Sequence, residues 1–240
     1  MICRFLTALL LATSMVITPS WFHHSPVDPH LAATHRIEFA FVDPDDGAIH
    51  KAACTASAIG PHALLTATHC DLGEGALIVD DQLAGLVIVG RIADGEDHTI
   101  FLVDGPAFKD TMDQFYADRM SKVGDLVFFY GDPAGMWPPQ YRQGYCTGQQ
   151  ILDKGEVRDG MPEGTVYLFA FPTVGGDSGS ALYDEKTGKL VSLITYGIED
   201  GKFAGAYPLA FTPAQIDQAI MFGRTAHVFH IFGQRILFQY

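Results

Sequence analysis

The chain has 240 residues, 48% hydrophobic and 18% charged. That is enough apolar material for one large domain or two small lobes, and the pattern excludes a chain disordered throughout. Lys and Arg total 15 against 28 Asp and Glu, a net charge of −13, which disfavours a protein that coats DNA or RNA. Four cysteines, and 25 glycines without a three-residue period, exclude disulfide-dense and collagen-like scaffolds.

Arg4 precedes an apolar run over residues 5–17 that only Thr and Ser interrupt. The run is shorter than the ~20 apolar residues that span a bilayer. It reads as a secretory signal peptide over residues 1–20; a short membrane anchor and a buried hydrophobic segment are the other readings. A membrane is a partner only if this segment is retained. Residues 21–35 hold Pro26, Pro29, His23, His24, His30 and His35 and read as a loose linker or pro-segment. No Cys or carboxylate completes a metal site around these histidines, so no metal is expected.

From residue 36 to 210 the signal is short β-rich runs separated by Gly, Pro and Asp: 36–42, 63–68, 76–79, 86–89, 99–103, 126–130, 165–169 and 190–196. Many short strands at this spacing predict an all-β protein. No βαβ alternation appears, which argues against a Rossmann or α/β-hydrolase fold. Residues 104–123 are polar and strand-poor, a short helix or a connecting loop that divides the β region in two. Thr212, Pro213 and Gln215 open a helix over residues 212–222, with a capping box, Pro at the first helical position and Gly223 as a stop. The remainder, residues 223–240, is an apolar tail in which His227 and His230 stand three apart.

Three fragments within the β region point to one chemistry. In the first, the run 63–67 reads as a buried strand and sets His69 at its end. Cys54 and Cys70 lie sixteen residues apart. In an oxidising space they form a disulfide worth ~3 kcal/mol that pins the His69 loop; otherwise they are two buried thiols. In the second, Gly175, Gly176 and Gly179 surround Ser178. Glycines there permit a tight turn with an exposed hydroxyl and unobstructed backbone N–H groups suited to an oxyanion, although the same composition also makes an ordinary β-turn. In the third, Asp97 stands directly before an apolar strand, where a carboxylate can accept the Nδ1–H of His69. Asp94 and Asp104 are its rivals. A serine hydroxyl needs a base, and the base an orienting group. His69, Asp97 and Ser178 supply these roles in the order His, Asp, Ser, unlike the order in α/β-hydrolases or subtilisin.

With these residues in view, the sequence over 36–222 resembles the chymotrypsin/trypsin-like serine proteases. The histidine motif appears as Thr66-Ala67-Thr68-His69-Cys70, the serine motif as Gly176-Asp177-Ser178-Gly179, and the aspartate motif, more loosely, at Asp97. The resemblance implies two perpendicular six-stranded β-barrels, about 36–105 and 122–210, with the active site between them and the helix at the C-terminal end. It implies a disulfide between Cys54 and Cys70, and an oxyanion hole made by the N–H groups of Gly176 and Ser178. There is no Ile-Val-Gly-Gly activation sequence, only 28 residues separate His69 from Asp97, Cys146 is the only cysteine of the second half, and Ser180 replaces a glycine. These departures resemble the compact bacterial, phage or viral members. They imply that Asp177 is held by a local partner, or that the site is preformed, rather than organised by a new N-terminus.

The resemblance also places a substrate pocket. Thr195, Tyr196 and Gly197 would pair with substrate backbone, Gly205 and Ala206 would form the back wall, and Pro172 and Thr173 the base. No Asp stands at 172 or 173, so a neutral or apolar P1 side chain is expected, with Glu199 and Asp200 as the route to a basic one. Trp137 extends the substrate site or packs in the core, and Cys146 is read as buried and inert. The expected function is a secreted or periplasmic serine endopeptidase acting on protein or peptide, without cofactor and without nucleic acid. The alternative is a catalytically silent binding protein on the same fold.

Overall fold

A computed structural model describes residues 27–42, 47–71, 86–114, 121–152, 163–198, 201–223, 228–231 and 234–237. The signal peptide, His23, His24, the strand at 76–79, Glu199, Asp200 and His227 lie outside the described residues.

Among the described residues nearly every regular element is a strand. The first half forms β1 (Thr34–Val42), β2 (Ile49–Gly60), β3 (Ala63–Ala67), β4 (Val87–Ala93) and β5 (His98–Asp104). They build one antiparallel sheet in the order β1-β2-β3-β5-β4. The second half forms β6 (Leu126–Gly131), β7 (Gln140–Leu152), β8 (Gly164–Phe169), β9 (Ala181–Asp184), β10 (Leu190–Leu193), β11 (Tyr196–Ile198) and β12 (Phe203–Ala206), in the order β10-β9-β6-β7-β8-β12-β11. The last described elements, β13 (Val228–Ile231) and β14 (Gln234–Leu237), pair antiparallel.

The expected pair of closed six-stranded barrels is not what forms. Among the described residues the sheets have five and seven strands, and neither closes. Closure requires hydrogen bonds between the first and last strands of a sheet. Among the described residues β1 and β4 do not pair, nor do β10 and β11. The seventh strand of the larger sheet is accommodated by β7, thirteen residues long. It pairs with β6 through residues 140–145 and with β8 through residues 146–152.

Apolar runs explain the packing. β3 is buried along its whole length, as a run apolar at every position but Thr66 predicts for a strand covered on both faces; Thr66 satisfies its hydroxyl on the Thr55 carbonyl at 2.8 Å. Leu64 and Phe101 point into the core of the first sheet. Their neighbours Leu65, Ile100 and Leu102 point the other way, into a cluster shared with Phe128, Tyr183, Leu190 and Leu193 of the second sheet. The two sheets therefore pack through a common core.

The helix α2 (Pro213–Met221) carries the expected capping box. Gln215 N–H donates to Thr212 Oγ1 at 3.3 Å, and Thr212 N–H donates to Gln215 Oε1 at 2.8 Å. Its backbone crosses β2 at Gly60, where a Cβ would stand 2.9 Å from Ile220 Cα. Residues 105–114 of the predicted connector form neither helix nor strand.

The described part of the expected linker is ordered on the second sheet. A single helical turn, α1 (Pro29–Ala32), leads into β1. Asp28 accepts the Tyr130 hydroxyl at 2.8 Å, and the His30 ring bridges Asp28 and the Gly188 carbonyl. Among the described residues no helix is long and apolar enough to cross a membrane.

Candidate active site

β3 delivers His69. The strand ends at Ala67, a short helical turn follows at Thr68–Cys70, and the His69 side chain stays one-third exposed. The turn before β5 delivers Asp97, whose carboxylate is 2% exposed. Asp97 Oδ2 accepts the His69 Nδ1–H at 2.7 Å, Oδ1 accepts the His69 backbone N–H at 3.0 Å, and the Asp97 carbonyl accepts the Thr68 N–H at 3.1 Å. An ionised carboxylate can only accept, so this contact places a proton on Nδ1, and in the neutral ring the lone pair is then on Nε2. Of the three candidate aspartates, Asp97 is thus the one His69 meets. Asp94 is occupied by His98, and Asp104 ends β5.

Ser178 sits in a turn that only glycine permits at two points. Gly176 has φ +100°, and a Cβ there would lie 2.0 Å from the Asp132 carbonyl oxygen; Gly179 has φ +81°, and its Cβ would lie 2.2 Å from the Thr55 carbonyl oxygen. Within the turn, Asp177 N–H donates to Val174 O and Ser180 N–H to Asp177 O, while Gly179 N–H reaches Ile194 O. The N–H groups of Gly176 and Ser178 are not among these donors. The Ser178 hydroxyl donates to the Thr195 carbonyl at 3.5 Å, the long limit for such a bond.

Two links tie the serine turn to the histidine loop. The Ser178 carbonyl accepts the Thr55 N–H at 2.8 Å. Its neighbour Cys54 forms the disulfide with Cys70, next to His69. The Gly179 backbone is seated against the end of β3, a Cβ there standing 3.0 Å from Ala67 N. Thr55 also donates its hydroxyl to the Gly176 carbonyl at 2.9 Å.

Asp177 has a local partner. Arg142 of β7 grips it in a bidentate pair, Nη1 to Oδ2 and Nη2 to Oδ1, both at 2.7 Å. Arg142 Nη1 also donates to the Pro172 carbonyl at 2.9 Å, and its guanidinium lies 5.0 Å from the centre of the Phe129 ring. Val174 N–H donates to Asp177 Oδ2 at 2.9 Å. Burial nevertheless holds the Asp177 carboxyl above its ordinary value, although Arg142 and the Val174 N–H pull it down. Sequence reasoning asked for such a partner and did not name it. Arg142 stands 35 residues away, on a strand of mostly polar side chains with no regular alternation to mark an inward-facing charge.

The predicted pocket residues divide. Thr173 is buried, its N–H donates to the Gly201 carbonyl at 2.8 Å, and its Oγ1 lies 2.9 Å from where a Cβ on Gly197 would stand. Pro172 is exposed. Thr195 is fixed to Gly205 by its N–H at 3.0 Å and its hydroxyl at 2.9 Å. The Tyr196 ring covers Gly205, where a Cβ would fall 2.6 Å from Cζ, and it packs toward Tyr207, ring centres 6.0 Å apart. Ala206 is fully buried in the core of the second sheet. Trp137 is partly exposed, and Cys146 is buried with its thiol pushed up by burial. Beside the serine turn a cleft of about 400 Å³ is lined by residues that include Gly175, Gly176, Arg36, Glu38 and Lys51.

Among solved structures the chain is similar to the Rv3671c protease of M. tuberculosis in its active form, with a TM-score of 0.56 and 17% identity over 77% of this chain and 80% of that one. The fold resembles that of the chymotrypsin/trypsin-like serine proteases. The inactive form of Rv3671c gives a TM-score of 0.55 and 17% identity over 79% of this chain and 90% of that one. The thermostable serine protease AL20 from an extremophilic microorganism gives 0.57 and 14%, over 82% and 100%. At these identities the likeness to the serine proteases is one of fold. No protein-family model and no curated protein matches the sequence.

Proposed function

We propose that the chain is a serine endopeptidase acting through an acyl-enzyme. The observation that carries this reading is the contact of His69 Nδ1–H with the buried Asp97 carboxylate at 2.7 Å, on a loop tied to the Ser178 turn through Cys54–Cys70 and Thr55. Nε2 of His69 takes the proton of Ser178 as its oxygen attacks the scissile carbonyl. The N–H groups of Gly176 and Ser178 receive the oxyanion. As the C–N bond breaks, His69 returns the proton to the leaving amine. Water then attacks the ester carbon, again losing its proton to Nε2, and the acid leaves as Ser178 is restored.

Arg142 keeps Asp177 in place without a newly made N-terminus, so the turn is preformed. Among the described residues the Thr173 and Gly197 side offers a hydroxyl and no carboxylate, which suits a neutral or apolar P1 side chain. The cleft beside Gly175 and Gly176 gives room to the leaving-group segment of the substrate. A disulfide beside the base supports secretion to an oxidising compartment.

Hydrolysis of an internally quenched peptide library by the purified chain, beside Ser178→Ala, tests the reading. Cleavage within peptides, lost in the variant, is expected. A folded, disulfide-bonded chain that cleaves none of them and binds them unchanged would leave the silent binding protein instead.

A further inference from the structure

The loop that carries Asp97 holds a second histidine–carboxylate pair, and this one is sealed. Asp94 and His98 are both 0% exposed in their side chains, and the His98 Nδ1–H donates to Asp94 Oδ2 at 2.7 Å. Asp94 collects two further donors: Glu96 N–H to Oδ1 at 3.0 Å and Ala210 N–H to Oδ2 at 2.9 Å. Its own N–H closes the loop on the His98 carbonyl at 3.3 Å. One carboxylate therefore joins the loop interior, the first residue of β5 and the segment that leads into α2. Hydrogen bonds to a charged acceptor are the strong ones, and a buried carboxylate persists only when it is supplied with them.

Asp97 and His98 are adjacent, and successive side chains along an extended chain point to opposite sides. Asp97 turns to His69, and His98 turns to Asp94. The peptide between them is held from both sides, since the Asp97 carbonyl also takes the Thr68 N–H at 3.1 Å. Packing alone does not call for a histidine at 98. Its Nε2 is buried and has no hydrogen-bond partner among the described residues, a cost that an apolar side chain against Phe211 would avoid.

We infer that Asp94 and His98 are positioning residues for the His69–Asp97 relay. They fix the Asp97 peptide against the C-terminal segment, so that the carboxylate meets His69 at its working distance. The inference rests on the protease reading for its effect on turnover, but its structural content does not.

Three variants test it. His98→Asn sets an amide nitrogen where the ring Nδ1 stands, so it keeps the donor to Asp94 and removes the unpartnered nitrogen. His98→Leu keeps bulk and loses the donor. Asp94→Asn faces the inward N–H groups with an amide that has one acceptor oxygen. A displaced catalytic group can cost about 100-fold. The expected result is a fall in kcat of roughly 10- to 100-fold in His98→Leu and Asp94→Asn, with KM changed less than about twofold, and near-native kcat in His98→Asn. The low-field proton resonance of His69 Nδ1–H should be retained in His98→Asn and shifted or lost in the other two.

Folded His98→Leu and Asp94→Asn chains with native kcat and a native resonance would overturn the inference. So would His98→Asn failing as badly as whichever of His98→Leu and Asp94→Asn folds, and that comparison stands even if one of those two does not fold. If the native chain neither cleaves peptides nor reacts with a serine-directed phosphonate, the protease reading fails. The His69 resonance still decides whether the pair positions the relay.

Discussion

Removing Arg142 should undo the serine turn from a distance. Asp177 is 1% exposed and Arg142 16%, so Arg142→Met leaves a carboxylate inside the protein with one donor, the Val174 N–H at 2.9 Å. Breaking a buried pair by deleting one partner costs about 3–5 kcal/mol. The surviving N–H, and the freedom of a carboxyl already pushed up by burial to take a proton, place the expected loss near the lower end, about 3 kcal/mol. In a chain of this size that is a fall in Tm of roughly 6 to 12 °C. If the same loss is felt in the turn during reaction, kcat falls by about 100-fold. Arg142→Met/Asp177→Asn, with no charge left unpaired, should recover part of the stability and little of the activity. Thermal melting and peptide hydrolysis on the two variants and the native chain measure both. A single variant that melts within 2 °C of the native chain, on the scale of about 3 °C per kcal/mol, and turns over normally would show that something other than Arg142 holds Asp177.

Other perturbations follow from the same geometry. Gly176→Ala drives a Cβ to 2.0 Å from the Asp132 carbonyl at a positive φ; activity should fall to background, whereas Gly148→Ala, where a Cβ meets nothing within 4 Å, should leave it intact. Because burial raises the Asp177 carboxyl above 3.8, the folded state binds that proton more tightly than the unfolded state. This group's contribution to stability therefore grows as pH falls through the window between the raised value and 3.8, while the Arg142 pair loses its charge. A pH titration should show activity failing in that window with no fall in Tm assignable to Asp177, and an acid limb that follows the melting curve would refute this assignment. Cys54→Ala/Cys70→Ala should lower stability by about 3 kcal/mol, the value for closing a loop of this length, and should slow turnover beyond the loss of folded protein, because Cys54 neighbours the Thr55 that holds Ser178. Chemical denaturation with and without reductant checks the first part.

Much of the site was legible because its residues are defined locally. A run apolar but for Thr66 predicts a strand buried on both faces, and β3 is one; His69 follows its end. Glycines around a serine predict a turn needing positive φ, and Gly176 and Gly179 supply it. The α2 cap was readable because Thr212 and Gln215 meet within one turn. What could not be read depends on contacts distant in sequence. Asp97 and Asp94 stand in the same turn, and only packing separates the one facing His69 from the one sealed against His98. Arg142 on β7 meets Asp177 from 35 residues away. The count of apolar runs says nothing about whether the outer strands of a sheet meet, so barrel closure was inferred from resemblance and does not occur among the described residues. Pro29 and the neighbouring histidines suggested a loose linker, yet Asp28 and His30 find Tyr130 and Gly188 on the second sheet.

The most direct measurement is covalent. Incubation of the disulfide-intact chain with a fluorophosphonate, followed by peptide mapping, should give one adduct on Ser178. The rate of labelling should rise as His69 loses its proton and collapse in His69→Ala. A correctly folded native chain left unlabelled, or labelled equally fast without His69, would contradict a serine activated by the His69–Asp97 relay.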